Sequence, residues 1–508
     1  MIRRPALLLS VRLAAVLLLP GLLLPRPATA ATFYASPDGR GHGRSPDAPF
    51  EVADFWAVAG PGDTLYLTDG RYRGARAMIR PPARLSGRAD ALIRIAALHD
   101  GRVTVDGEML RRPVALDRGN GYFIVEGINA CSAGPPGGSG SWGVVHIDQG
   151  SDHNRIRRVC AWDAPAKRNS YIFFVGNSAG NLIEDCAGWG PARKIFGRHQ
   201  DARTTFRRCF ARWTHLDGDA LHTYAIGITW SYRSTGSLVE NCISTWDEYP
   251  DAPSAVIKSG AFGVDDTFAD GGYRLLGCIA YQLSGQRGSP NQLYHHNNCD
   301  PGTRYLIRDC IAYTEKPGVN PFNMQVMSFA GSHLTSIGGG GDGSTGAGVL
   351  AAGQTGPIES SIVMGSRSRG LYPGSLLDYV LFWDNAAADY TDPAPAHFAV
   401  RDPRITGPGR NVLQHGLSED LRPHVAERSV GAQIQYRYVD GVLTREPLWP
   451  WPMNERIADA MVQSGYSFKG GVDGKGGVDL TRTVFQLAGG SLPEDLGLQP
   501  PPPPRSPR

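Results

Sequence analysis

Seven cysteines, Cys131, Cys160, Cys186, Cys209, Cys242, Cys278 and Cys310, follow one another at 29, 26, 23, 33, 36 and 32 residues. Similar phrases surround six of them: Ile156-Arg-Arg-Val-Cys160-Ala-Trp162, Leu182-Ile-Glu-Asp-Cys186-Ala-Gly-Trp189, Phe206-Arg-Arg-Cys209-Phe-Ala-Arg-Trp213, Val239-Glu-Asn-Cys242-Ile-Ser-Thr-Trp246, Leu275-Leu-Gly-Cys278-Ile-Ala-Tyr281 and Ile307-Arg-Asp-Cys310-Ile-Ala-Tyr313. Self-similarity at a period of 20–50 residues marks a chain of stacked units, each unable to bury its apolar face alone. The apolar runs are three to six residues long, β-branched, and broken by Gly, Asn, Asp and Ser, which excludes helical repeats and points to β-coils. Glycine, 64 of 508 residues against a usual ~7 %, suits a turn at every corner. The spacing places the cysteines at one inward turn of successive coils, as a ladder of buried, reduced packing residues. Cys299, in His295-His-Asn-Asn-Cys299-Asp, falls off it.

The first thirty residues have the pattern of a secretory signal: Arg3 and Arg4, an apolar run from Ala6 to Leu24, and Ala28-Thr29-Ala30 as a small-residue cleavage site. A mature chain from Ala31 loses Arg3, Arg4, Arg12 and Arg26 and no acid, leaving 47 bases against 48 acids, so the formal charge moves from +3 to −1. Nothing in that balance favours a nucleic-acid partner. No second stretch approaches the ~18 apolar residues of a membrane span. The expectation is a secreted or periplasmic monomer.

Further motifs carry a resemblance. Thr32-Phe-Tyr-Ala-Ser-Pro-Asp-Gly39, Gly62-Asp-Thr-Leu-Tyr-Leu67, Asp69-Gly-Arg-Tyr-Arg-Gly74, Ala91-Leu-Ile-Arg-Ile-Ala96 and Val103-Thr-Val-Asp-Gly107 resemble the opening of β-helix polysaccharide lyases of the chondroitinase B and alginate lyase type. The pieces Asn154–Cys160 and Asn181–Cys186 resemble the coil of those proteins. The fold implied is all-β: a right-handed parallel β-helix, pectate-lyase-like, with an amino-terminal capping helix over Glu51–Ala59 and an irregular carboxy-terminal cap. The expected organisation is a signal peptide at 1–30, the β-helix at 31–400, a cap segment at 401–491 with a helix over Asn454–Val462, and a Pro-rich tail at 492–508. Repeat-like strands continue after Cys310 at Leu334–Ile337, Ile358–Val363 and Leu377–Phe382.

The candidate chemistry lies on the strand preceding each cysteine: Val144–Asp148, Ile172–Val175, Lys194–Arg198, Ala225–Thr229, Ala255–Lys258 and Leu293–His296. Period-two alternation with Ile147, Ile195, Ile228 and Ile257 inside predicts His146, Asp148, Lys194, Arg198, Thr229 and Lys258 outside, in one patch. His146, Lys194, Trp230, Trp246, Tyr249 and Tyr294 are candidate substrate contacts, the aromatic ones as platforms for sugar rings. Asp217, Asp219, Asp247, Glu248 and Asp251, in long loops entering these strands, are oxygen donors suited to Ca²⁺. The resemblance puts the catalytic lysine at Lys258, with Arg198, His296 and His222 as accompanying candidates. A nearby cation lowers a lysine's pKa so that it can act as a base. The arginine that such lyases carry one coil later is replaced by Tyr294, His295 or His296, and their Asn/Glu/Glu calcium set has no counterpart. The expected function is β-elimination on an acidic, uronate-containing polysaccharide. The alternatives are a glycoside hydrolase using Asp217 and Asp219 with Asp247 or Glu248, an epimerase, and a non-catalytic carbohydrate-binding protein. The glycine run Gly338–Gly348 has no Walker lysine and is expected to be a turn.

Overall fold

The computed structural model describes residues 30–134, 142–165, 169–213, 227–246, 260–265, 272–282, 292–297, 304–314, 320–323, 328–339, 347–350, 358–371, 377–387, 389–390, 398–400, 431–432, 434, 436–449 and 451–466. Short strands pair in parallel from each coil to the next, so the chain is a parallel β-helix. Two of its faces run together as one 24-stranded sheet, and the third is a ten-stranded sheet from Val114–Leu116 to Arg369–Leu371. At the amino-terminal end the helix Val52–Phe55 buries both of those residues, with Phe55 edge-on to Phe33 at 5.4 Å. It is shorter than the sequence suggests, and turns occupy Trp56–Val58.

The corner beside the cysteines explains the repeat. Gly127, Arg158, Asp185, Arg208, Asn241, Gly277, Asp309, His333 and Ser360 occupy one position in successive coils, and all have φ between 48° and 73°. The left-handed conformation is unfavourable for residues with a Cβ, yet only two of these nine are glycine. Stacking compensates: Asp185 N–H donates to Arg207 O at 3.0 Å, Arg208 to Glu240 at 2.8 Å, and Asn241 to Leu276 at 2.8 Å. The next residue points inward. Ile128, Val159, Cys186, Cys209, Cys242, Cys278, Cys310 and Leu334 form this column, all in the main core. Each thiol in it donates to a carbonyl of the preceding coil, as Cys209 Sγ does to Ile183 O at 3.3 Å and Cys242 Sγ to Phe206 O at 3.5 Å.

The ladder therefore has five cysteines, and two of the seven stand elsewhere. Cys160 pairs with Ala187, one residue past Cys186, and Cys131 pairs with Trp162. Both face outward, beneath the carboxy-terminal segment. The phrase around Cys160 matches its neighbours only after a one-residue slip, with Val159 taking the inward place. All seven are free and buried. Burial pushes the thiols up, Cys160 to about 11 and Cys131 to about 12, with Cys186, Cys209 and Cys278 also well above a free thiol. Cys299 lies outside the described residues.

On the outer surface of the neighbouring face Glu126, Arg157, Glu184, Arg207 and Glu240 stand in register. Identical charges stacked one coil apart would repel, and here the sign alternates. Arg207 bonds Glu240 at 2.7 Å and Glu184 at 3.2 Å and also reaches Asp440. Asp440 sits between the antiparallel strands Tyr436–Val439 and Val442–Pro447, which begin a strap laid back along the solenoid. Leu448, Trp449, Trp451 and the helix Asn454–Ser464 continue it, covering Cys160, Trp162, Trp189 and Phe210. Arg456 fastens it, donating to Asp100 at 3.1 Å and to Asn129 Oδ1 at 2.5 Å.

The thiolate is the reactive form, and burial suppresses it. Titration of the native protein with a thiol reagent should leave all seven described cysteines unmodified, and denaturation without reductant should release seven more reactive thiols than the native state shows. Recovery of internal disulfides by mass mapping would contradict the ladder.

Candidate functional site

Facing strands of the ten-stranded sheet define which side chains leave the solenoid. Phe173 pairs with Phe196, which pairs with Thr229, and Phe262 with Tyr294 and then Phe322. This column points inward: Phe196 lies flat on Phe173 at 4.5 Å and edge-on to Phe206 of the opposite face at 5.5 Å. Ile195 is also inside, because a Cβ on Gly188 of the opposite face would sit 2.8 Å from its Cγ2. Two consecutive inward residues, Ile195 and Phe196, shift the alternation by one.

That shift corrects several expectations. Arg198 points into the solenoid. It is 1 % exposed, its guanidinium 4.5 Å from the Phe206 ring, and Nη1 donates to Thr204 O at 2.7 Å. Thr229 is inside, hydrogen-bonded to Ser244 at 2.7 Å. Tyr294 is no sugar platform: it is stacked between Phe262 and Phe322, and its hydroxyl donates to Cys278 O and lies within hydrogen-bond distance of Ile311 O. The strand expected at Ala255–Lys258 is Gly260–Asp265, with Gly260 opposite Gly227 and Phe262 opposite Thr229. Lys258, His222, Tyr249, Asp217, Asp219, Asp247, Glu248 and Asp251 lie outside the described residues. His296 pairs with Val264 and Trp246 with Trp213. Among the described residues no group of three or more His, Cys, Asp or Glu is arranged to hold a metal ion.

His146 and Lys194 do leave the solenoid as expected, though both are buried. With them stand three aromatic rings that lie flat on the sheet. Tyr171 covers Gly197, Phe174 covers Gly176, and Trp230 covers Gly227 and Gly263: a Cβ on Gly197 would be 2.3 Å from the Tyr171 ring, and one on Gly263 1.6 Å from Trp230. Glycine in the neighbouring coil makes room for Tyr171 and Trp230, and glycine in its own strand for Phe174. His146 stacks on Phe174 at 4.8 Å with Nε2 3.6 Å from Asp148. Asp148 also accepts from Asn177 at 2.9 Å and from Gln149 N–H at 2.8 Å. Burial holds His146 below its usual range, against the pull of Asp148, and the hydrogen bonds hold Asp148 low despite its own burial.

The accessible row of this face is one residue further along each strand. Val175 pairs with Ile147, so Gly176 lies beside Asp148; Gly176 in turn pairs with His199, and His199 with Tyr232. Gly176 stands between Asp148 and His199, one coil of ~4.8 Å to each side, and the Phe174 ring fills the place its side chain would take. His199, Tyr232, Arg193 and Arg233 are half-buried, and the His199 ring lies parallel to Tyr232 at 5.2 Å. Burial, Lys194, Arg233 and Arg193 all lower the His199 pKa, opposed by Asp148. Lys194 is held over the Tyr171 ring at 5.3 Å, with Nζ donating to the Tyr171 hydroxyl at 3.5 Å. Burial and the nearby cations thus favour the neutral imidazole at pH 7, equipment for taking a proton from an anionic molecule. His199 and Tyr232 were not among the sequence candidates. The signal for them was the residue after Arg198, readable only once the double inward step is known.

Among solved structures the fold is similar to pectate lyase Pel9A (14 % identity, 82 % of this chain and 93 % of that chain, TM-score 0.35). It is also similar to XylC in complex with xylose (10 %, 74 % and 87 %, TM-score 0.46) and to the PL6 family polysaccharide lyase Pedsa3628 from Pseudopedobacter saltans (14 %, 78 % and 93 %, TM-score 0.34). No family model and no curated protein matches the chain.

Two outcomes follow for the site's construction. Gly263→Ala forces Trp230 off the sheet and should cost about 1–3 kcal/mol, the range of an overpacked site; in a Trp230→Leu background the same change should cost less, a coupling readable by denaturant melts. Protonation of His146 is disfavoured in the fold, so between its depressed folded pKa and the ~6.5 of the unfolded chain the unfolded state binds more protons. This contribution is fully present above pH ~6.5 and is lost as pH falls below it. The melting temperature should therefore decline on acidification from pH 7, and His146→Gln should flatten that decline.

Proposed function

We propose that the protein is a carbohydrate-active enzyme that cleaves an acidic, uronate-containing polysaccharide by β-elimination on the outer face of the ten-stranded sheet. The observation that supports this most is the neutral, half-buried His199 among Lys194, Arg193 and Arg233. The chemistry needs both parts. Cations neutralise the uronate carboxylate and so acidify the neighbouring C5–H, and a base with a pKa near or below the working pH removes the proton. The C5–H electron pair then forms the C4=C5 double bond as the C4–O bond breaks, and the departing oxygen takes a proton. In this reading His199 is the base, Lys194, Arg193 and Arg233 face the carboxylate, and Tyr232, parallel to His199, is the group placed to protonate the leaving oxygen. Trp230 and Phe174 shape the floor.

A hydrolase would need a carboxyl held protonated as acid. On the described part of this face Asp148 is held ionised and Asp117 is paired with Arg112 at 2.8 Å, which favours elimination. Lys258 as base and Ca²⁺ on Asp217, Asp219, Asp247, Glu248 and Asp251 remain proposals from the sequence, and the same assay tests them.

The assay is the purified chain from Ala31 onward on alginate, pectate and glycosaminoglycans, with and without Ca²⁺. Ultraviolet absorbance of an unsaturated uronate product supports the lyase; new reducing ends without it indicate a hydrolase, and binding without cleavage a carbohydrate-binding module. His199→Asn should lower turnover by at least ~100-fold, the low end of a positioned general base. Activity of the wild type should rise with pH through an apparent pKa below the ~6.5 of free histidine, because the base works deprotonated, and be level by pH 7. A comparable loss in Lys258→Met with near-normal turnover in His199→Asn would move the base to Lys258.

A further inference from the structure

A cavity of about 320 Å³ opens at the amino-terminal end of the solenoid, lined by Arg80, Arg111 and Arg112 with Met78, Leu110 and Gly134 among its walls. Arg112 bonds Asp117 at 2.8 Å, and Asp117 directly follows Val114–Leu116, the first strand of the ten-stranded sheet. The cavity thus lies at the end of the face that carries His146 and Asp148.

Its charges do not cancel. Arg111 pairs with Glu108, while Arg112 and Arg118 share Asp117, at 2.8 and 3.5 Å. Arg80 has no ion-pair partner among the described residues, and its charge acts on Arg112. Of the three guanidinium groups that line it, those of Arg111 and Arg112 are paired and that of Arg80 is not, which leaves a local excess of positive charge in a concave place.

The apolar side of the cavity is built rather than incidental. Glu108 and Met109, at φ 55° and 56°, hold a left-handed bend that residues with side chains adopt only under constraint. Asp106 supplies it, accepting from Glu108 N–H at 2.9 Å while held by Arg71 and Arg73 at 2.9 and 3.0 Å. Gly134 lets the bend close, since a Cβ there would lie 2.1 Å from Leu110 N. The bend presents Leu110, 65 % exposed, and Met109, 46 % exposed, beside the guanidinium groups.

We infer that this cavity binds the carboxylate-bearing end unit of an acidic oligosaccharide, the guanidinium groups of Arg80 and Arg111 taking the carboxylate and Leu110 and Met78 taking the C–H face of the sugar ring. The volume, near the lower end of the ~300–1,000 Å³ of ligand sites, fits a chain end rather than a long segment. This rests on the acidic-polysaccharide reading above and extends it to a second subsite.

Calorimetric titration tests it with a galacturonate or mannuronate disaccharide, a neutral glucose disaccharide and inorganic sulfate. The uronate should bind, the neutral sugar should not, and sulfate should bind more weakly because it lacks the ring. Arg80→Gln/Arg111→Gln should weaken the uronate at least tenfold and Leu110→Ser severalfold, while His199→Asn leaves the binding intact. On the cleaved polymer the double variant should raise KM with kcat unchanged. Uronate affinity equal in the double variant and the wild type overturns the inference, as does sulfate binding as tightly as the disaccharide. Cleavage of an acidic polymer with unaltered KM in the double variant removes the cavity and leaves the lyase. Uronate binding that depends on Arg80 and Arg111 without cleavage of any acidic polymer removes the lyase and leaves the cavity.

Discussion

Parallel hydrogen bonding from one coil to the next, ~4.8 Å apart, is the constraint from which the rest of this molecule follows. It forces every side chain to lie on its counterpart in the coils above and below. A position therefore succeeds only if its residue tolerates a near copy of itself as neighbour. The inward corner solves this with small thiols from Cys186 to Cys310 that pack side by side. The outer surface of one face solves it by alternating Glu126, Arg157, Glu184, Arg207 and Glu240. The same rule accounts for left-handed Arg158, Asp185, Arg208 and Asn241: an isolated turn of that kind carries strain of order 1 kcal/mol or more, but a stack of them shares hydrogen bonds along its length.

Large rings cannot follow the like-on-like rule when they lie flat on a sheet, because each spreads over a neighbouring position of the same face. Tyr171, Phe174 and Trp230 each lie over glycine instead. On the same face Gly176 lies between Asp148 and His199, and the Phe174 ring fills the place its side chain would take. Site geometry here is thus a by-product of how aromatic rings are accommodated, and a substitution that merely adds a methyl group reaches the site through them.

The fold was legible because stacking writes itself into the sequence as a period. The cysteine phrases, the capping helix near Val52 and the strands at Ile358 and Leu377 could all be read from pattern. The errors came where a single residue changes register. Val159, not Cys160, takes the inward corner, since the phrase Arg-Arg-Val-Cys carries one residue more than Phe-Arg-Arg-Cys before its cysteine. The double inward step at Ile195 and Phe196 put Arg198 inside and His199 outside, and period-two counting has no means to detect such a step. The strand Gly260–Asp265 was not read from the sequence because Gly-Ala-Phe-Gly does not look strand-like. It is glycine that Trp230 requires there.

Net charge was the least informative quantity in the sequence, and the structure explains why. A formal charge of +3 for the whole sequence, or −1 counted from Ala31 onward, suggests indifference to anions. That sum mixes regions that never meet. On the ladder face Arg157 and Arg207 are matched to carboxylates and the strap adds Asp440, so that stretch of surface has little left to attract a ligand. On the ten-stranded face Lys194, Arg193 and Arg233 act on His199 with Asp148 as the opposing charge, and at its end Arg80 lines the cavity without an ion-pair partner among the described residues. Between exposed charges more than a Debye length of about 8–10 Å apart, salt screens most of the interaction. What an approaching polymer meets is therefore the local balance within a few coils, which on this side is positive.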